Sequence, residues 1–217
     1  MAMTLSECGS STLVTVKAAS LSAQPALCTW LPLDHNIELS CSFKMIVAQR
    51  GKLTTAQLNL LNLLMFQAVW WLSILYQNSV LVISLGLLLI HFALSSNRQA
   101  DLLCMLKVVA CGLVIDSTLT FMNVFEFQTT PYWLALIWCH FALSLRYSLA
   151  FAQKLPFYLN AILGGVFGCM SYLAGERFDA VQLPMDYLGS AMILLSIWFV
   201  IFPIFVNVSK PESVSQR

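Results

Sequence analysis

From Gln57 to Asn207 the chain is a succession of apolar runs, each close to the length that crosses a bilayer, and this leaves few folds open to it. Six runs stand out, at about 57–77, 79–96, 102–122, 132–151, 156–175 and 187–207. The breaks between them are short. Asn78 and Ser79 make a tight turn, NRQAD at 97–101 a charged one, EFQTTP at 126–131 an acidic one, and ERFDAVQLPMD at 176–186 the longest. A hydrocarbon core of about 30 Å needs about 20 consecutive apolar residues of helix. The runs lack the alternation of a barrel strand, so helices follow. The expected fold is therefore all-α: a polytopic transmembrane bundle of six helices over residues 45–208, with a short tail at 209–217. Composition agrees, since 59% of the 217 residues are hydrophobic and 10% charged, against roughly 25% charged in a soluble domain.

Lys and Arg set the orientation. Lys44, Arg50, Lys52, Arg98, Lys154, Lys210 and Arg217 fall on one side of a six-helix trace, whereas Arg177 stands on the other with Glu126, Glu176, Asp179 and Asp186. The positive-inside rule then predicts both termini in the cytoplasm. Residues 1–44, rich in Ser, Thr, Ala and Leu with no sustained period, read either as a disordered extension or as sequence preceding a true start at Met45. A secretory signal is not expected, because Lys17 interrupts LVTVKAASL. The net charge of +1, without a basic block, gives no reason to expect nucleic-acid binding. Seven cysteines, odd in number and with no CxxC pair, predict inert thiols, not disulfides or a zinc site, and no metal or cofactor is expected.

Ionisable groups at membrane depth are costly and make functional candidates. Lys107 and Arg146 each lie about five residues from a cytoplasmic run end and are expected to snorkel. Asp116 is too deep and too short to do so, and needs a partner. By depth, His140 on the next helix is the first candidate and Arg177 the second. Gly112, Asp116, Thr120 and Asn123 share one helical face, and His140, Ser144 and Tyr147 another, so a polar seam between them is expected. Structural glue and a functional site both fit such a seam. On the fifth run, Asn160, Gly164, Gly168, Ser171 and Gly175 fall in one narrow arc, with a GxxxG within it. A backbone must approach that face: another helix of the bundle, a second copy in a homodimer, or a lipid tail. Asn59, Asn62 and Gln67 are expected to hydrogen-bond into the interior, and Trp198, deeper than the other aromatics, to pack.

HFALS occurs twice, at His91–Ser95 and His140–Ser144, each followed by an arginine, Arg98 or Arg146. A duplicated two-helix unit, as in some transporters, or coincidence in an apolar alphabet would both produce it. The patterns NLLMFQAVW (62–70), LVIDS (113–117), IWCHFALSLRYSLAF (137–151) and GGVFGCMSYLAGERFDAV (164–181) resemble those of a family of small bacterial inner-membrane proteins known only as a domain of unknown function, over about 57–205. The resemblance implies an inner-membrane location and an association with fatty-acid or phospholipid modification, and supports Met45 as a start. It implies no activity or catalytic residue.

With no GxSxG, HExxH or phosphate-binding loop, catalysis of the soluble type is not expected. Three functions are compatible with what is present. One is an accessory role in lipid or fatty-acid modification, with an acyl chain beside the fifth helix and Asp116, His140 and Arg177 orienting a headgroup. The second is a small-solute or proton-coupled transporter. An intramembrane acid–base pair of Asp116 and His140 is the third, and it lacks a nucleophile.

Overall fold

The computed structural model describes residues 53–127 and 131–211, so the expectation for residues 1–44 lies outside the described residues. Six α-helices form among them: α1 (Thr55–Tyr76), α2 (Leu81–Leu94), α3 (Arg98–Phe121), α4 (Tyr132–Ser144), α5 (Phe157–Arg177) and α6 (Tyr187–Val208). Short 3-10 turns at Gln77–Val80 and Ala150–Lys154 complete the trace. Four stretches are long and apolar enough to cross a membrane: Thr55–Leu94, which takes in α1 and α2, then Arg98–Phe121, Phe157–Arg177 and Tyr187–Val208; Tyr132–Ser144 is a shorter apolar helix. Only 28–33% of the most apolar window of each is buried. Side chains such as Val82, Phe121 and Leu188 stand in the open at 83%, 89% and 70% exposure. Helices apolar on every side and buried on a third of it are suited to lipid, not water.

Local chemistry moves several helix ends away from the limits of the apolar runs. Thr54 closes a capping box with Gln57, its hydroxyl accepting from the Gln57 N–H at 3.3 Å while Gln57 Oε1 accepts from the Thr54 N–H at 2.9 Å. Asn97 caps α3 by accepting from the Ala100 N–H at 3.2 Å, which starts that helix at Arg98 and carries Asp101 into its first turn. α3 and α5 end alike, with Asn123 (φ 56°) and Asp179 (φ 58°) at positive φ. The next N–H reaches back five residues, Val124 to Leu119 and Ala180 to Gly175, each at 2.9 Å.

The largest departure is in α4, which stops at Ser144 where the apolar run continues to 151. The chain turns through Leu145–Leu149, and side-chain donors reach the carbonyls around the break. Ser144 donates to the Phe141 carbonyl (2.7 Å), Gln153 to Leu145 (3.1 Å) and Asn160 to Ala152 (3.0 Å). Irregular backbone at such a depth is tolerable only when protein satisfies it in this way.

Contacts between elements sort the helix ends into two groups. Asn62 near the start of α1 accepts from Ser148 beyond α4; Ser95 after α2 and Arg146 after α4 both reach Asp101 at the start of α3; and Arg146 reaches Ser209 after α6. At the opposite ends, Gln77 donates to the Asp179 carbonyl, Asn78 accepts from the Trp133 N–H, and Glu126 and Gln182 pair in an isolated β-bridge. The helices therefore alternate in direction. α4 sits against α1, α2 and α3, while α5 and α6 form the closest pair.

Glycines explain that closeness. A Cβ on Gly164 would overlap Phe202 and one on Gly168 would overlap the Trp198 indole, so the GxxxG pair of α5 is the seat of α6, a helix of the same bundle. Gly112 of α3 receives Trp138 of α4 in the same manner. The two indoles then stack at 5.7 Å with 4° between their planes.

Candidate functional site

Two buried carboxylates project from one face of α3. Asp116 is 3% exposed. Its Oδ2 accepts from the Trp138 indole at 2.6 Å and its Oδ1 from the Tyr172 hydroxyl at 2.5 Å. Gly112 one turn earlier on α3 admits the Trp138 ring, and Gly168 one turn before Tyr172 on α5 admits Trp198. Gly112, which lets α3 and α4 close, therefore brings the Trp138 donor to the carboxylate. Both are neutral groups, and the indole can only donate.

Asp101 is 1% exposed and is surrounded differently. Arg146 Nε donates to its Oδ1 at 2.6 Å, while Ser95 Oγ at 2.5 Å and the Tyr147 hydroxyl at 2.7 Å donate to its Oδ2. His91 Nε2 stands 3.6 Å from the same oxygen. Arg146 spends a second donor on the Ser209 carbonyl at 3.2 Å, tying the ends of α3, α4 and α6 into one cluster. The early end of α4 is what makes this possible, since it turns Arg146 and Tyr147 off the helix and towards α3.

Beside these lies a cavity of about 550 Å³, within the usual range of about 300–1,000 Å³ for a ligand pocket. Its walls are Phe66, Gln67 and Trp70 of α1, Trp138 and Phe141 of α4, Gly164, Gly168, Ser171 and Tyr172 of α5, and Trp198 and Phe202 of α6. Trp70 Nε1 donates to Ser171 Oγ at 2.9 Å, joining α1 to α5, which otherwise do not pack closely. Exposed Leu63, Phe167 and Met170 also line it, so the space reaches the apolar exterior. Trp138 and Tyr172 belong both to this wall and to the Asp116 site behind it.

The model of a family described as protein of unknown function (DUF2878) matches residues 59–204. The chain belongs to that family. Comparisons of this DUF2878 protein with curated proteins and with solved structures gave no match.

The residues singled out by sequence are distributed as follows. Asp116 is paired with neither expected partner. His140, 1% exposed, has Nε2 3.1 Å from the Ser84 carbonyl of α2; lying two residues, about 200°, from Trp138, it points away from α3. Arg177 is exposed at the end of α5. Thr120 is half-buried, and Asn123, beyond the end of α3, is exposed. Ser144 caps its own helix, and Tyr147 joins Asp101. Gly164, Gly168, Ser171 and Gly175 all line the cavity, whereas Asn160 holds the turn before α5. Asn62 bonds into the interior through Ser148, while Gln67 faces the cavity. The Asp101 cluster is the feature that sequence reasoning did not find: Asp101 read as a loop residue and Arg146 as a snorkelling one. One signal pointed to it. Both HFALS copies close a helix, and between them they supply His91 and Ser95 and lead directly into Arg146 and Tyr147. Among the described residues no group of three His, Cys, Asp or Glu is placed to hold a metal ion.

Proposed function

We propose that this protein is a six-span inner-membrane protein that holds an acyl chain in the cavity between α1 and α5, in an accessory role in membrane lipid or fatty-acid modification. The cavity carries the reading: it is large, aromatic and continuous with the apolar exterior. On this reading the end of the bundle bearing exposed Arg98, Lys154 and Lys210 faces the cytoplasm, and the end bearing Glu126, Asp179 and Asp186 faces away from it. Both termini are then cytoplasmic. Asp116, His140 and Arg177 play no part in orienting a headgroup here; Asp116 instead braces the cavity wall through Trp138 and Tyr172.

Native mass spectrometry of the full chain extracted in mild detergent tests this. Retained lipid is expected in the wild type and not in a cavity-filling Ser171→Phe variant. Wild-type protein that emerges free of lipid would remove the basis of the reading.

A second reading, a small-solute or proton-coupled transporter, rests on Asp116 having only neutral donors around it at membrane depth. Proteoliposomes bearing Asp116→Asn should then lose uptake. Uptake equal to wild type would leave the carboxylate a structural role.

A further inference from the structure

Among the described residues no charged side chain lines the cavity, and several of its polar groups already have partners. Trp138 and Tyr172 donate to Asp116, Ser148 donates to Asn62, and Trp70 donates to Ser171. The indole N–H groups of Trp71, Trp133 and Trp198 also line the cavity without a partner among the described residues. Besides these indoles, two side chains keep hydrogen-bonding capacity towards the space. The first is the Ser171 hydroxyl. Ser144, Thr118, Ser196 and Ser209 all turn their hydroxyls back onto a carbonyl three or four residues earlier. Ser171 accepts from Trp70 instead, and its own O–H has no acceptor among the described residues. The second is Gln67, on the same face of α1 as Trp70, whose exposed amide likewise has no partner among the described residues.

Ser171 lies six residues from the end of α5 and Gln67 nine from the end of α1, or about 9 Å and 14 Å at ~1.5 Å per residue. Both stand well below headgroup level. An anion carried to that depth would have no counter-charge in the lining, an arrangement that charged groups avoid. An uncharged carbonyl needs only donors, which a serine hydroxyl and a glutamine amide supply.

Given the lipid-holding reading above, we infer that the occupant is a neutral ester lipid, its ester carbonyl accepting from Ser171 and Gln67 while the acyl chain lies along the aromatic wall. A free fatty acid or a phosphate-bearing lipid is discriminated against, since no cation lines the space among the described residues.

The indoles of Trp70, Trp138 and Trp198 line the space, so bromine on a bound chain should quench their fluorescence. The purified full chain in detergent at pH 8 is titrated with methyl 9,10-dibromostearate and with the corresponding free acid, and the quenching of the Ser171→Phe variant is subtracted. Saturable quenching by the ester is expected, with the acid at least about tenfold weaker. Ser171→Ala and Gln67→Leu should each weaken the ester by about five- to tenfold, the worth of one neutral hydrogen bond, and leave the acid unchanged. Ser171→Thr, which keeps the hydroxyl, should bind as wild type; it and a monodisperse elution profile separate lost recognition from lost folding. Acid binding as tight as ester, or ester affinity indifferent to both substitutions, would overturn the inference while the lipid cavity stands. Quenching by neither probe would overturn the lipid cavity as well.

Discussion

Asp101 and Asp116 stand fifteen residues apart on α3, about 60° around its axis and about 22 Å along it. Both are almost completely buried, yet the protein holds them in opposite ways. Asp101 meets a guanidinium, a serine and a phenol, gathered where three helices end and α4 unwinds. Asp116 meets an indole and a phenol inside the regular part of the bundle, where paired glycines let the helices close. One is a charge met by a charge at an irregular end, the other a polar contact between well-formed helices. The first should therefore govern whether the bundle assembles, and the second how its cavity wall is shaped.

The sharpest break in this contrast comes from Arg146→Met. It strands the Asp101 carboxylate in a buried site, and removing one partner of such a pair costs about 3–5 kcal/mol. Replacing both, Asp101→Asn with Arg146→Met, should recover much of the loss, since the remaining Ser95 and Tyr147 donors still find an amide oxygen. Thermal or denaturant unfolding in mixed micelles over the four proteins of the cycle would measure the coupling. A loss in the double variant equal to the sum of the two single losses would mean the ion pair contributes no interaction of its own.

At Asp116 the same kind of change should be mild. In Asp116→Asn the amide oxygen accepts from Trp138 and the amide nitrogen donates to the Tyr172 oxygen, so the cost stays within about 1 kcal/mol, as for interhelical polar contacts in membranes. Asp116→Leu orphans both donors and should cost about 2 kcal/mol or more. A loss on Asp116→Asn as large as that on Arg146→Met would erase the distinction between the two sites.

Why one carboxylate was legible in the sequence and the other was not comes down to what periodicity carries. The depth of Asp116 follows from counting residues along an apolar run, and so do the glycine face of α5 and the packing of Trp198. Azimuth across a helix pair does not: His140 lies at a suitable depth but two residues from Trp138, on the far side of α4. Helix ends are hidden for a related reason. Asn97 extends α3 by a turn through a single side-chain bond, which moves Asp101 from a loop onto a helix. α4 stops inside a run that stays apolar to residue 151, and the donor that meets the Leu145 carbonyl at its end, Gln153, comes later in the chain. Composition records neither event.

The last contrast concerns the glycine that seats the Asp116 site. Gly112→Ala would place a methyl within the Trp138 ring, an indole already stacked on Trp198 and met at its edge by Phe205. Overpacking of this kind costs about 1–3 kcal/mol, and here it should also move the indole off Asp116. Gly86→Ala in α2 meets nothing within 4 Å among the described residues and, by helix propensity alone, should stabilise by up to about 1 kcal/mol. The two substitutions add the same atom to the same kind of helix, so their difference isolates the contact with Trp138. Unfolding measurements, with tryptophan emission as a second readout, should show a spectral shift for Gly112→Ala and none for Gly86→Ala. Matching stabilities and spectra would mean that the indole yields readily, and that the glycine does not determine how the second carboxylate is held.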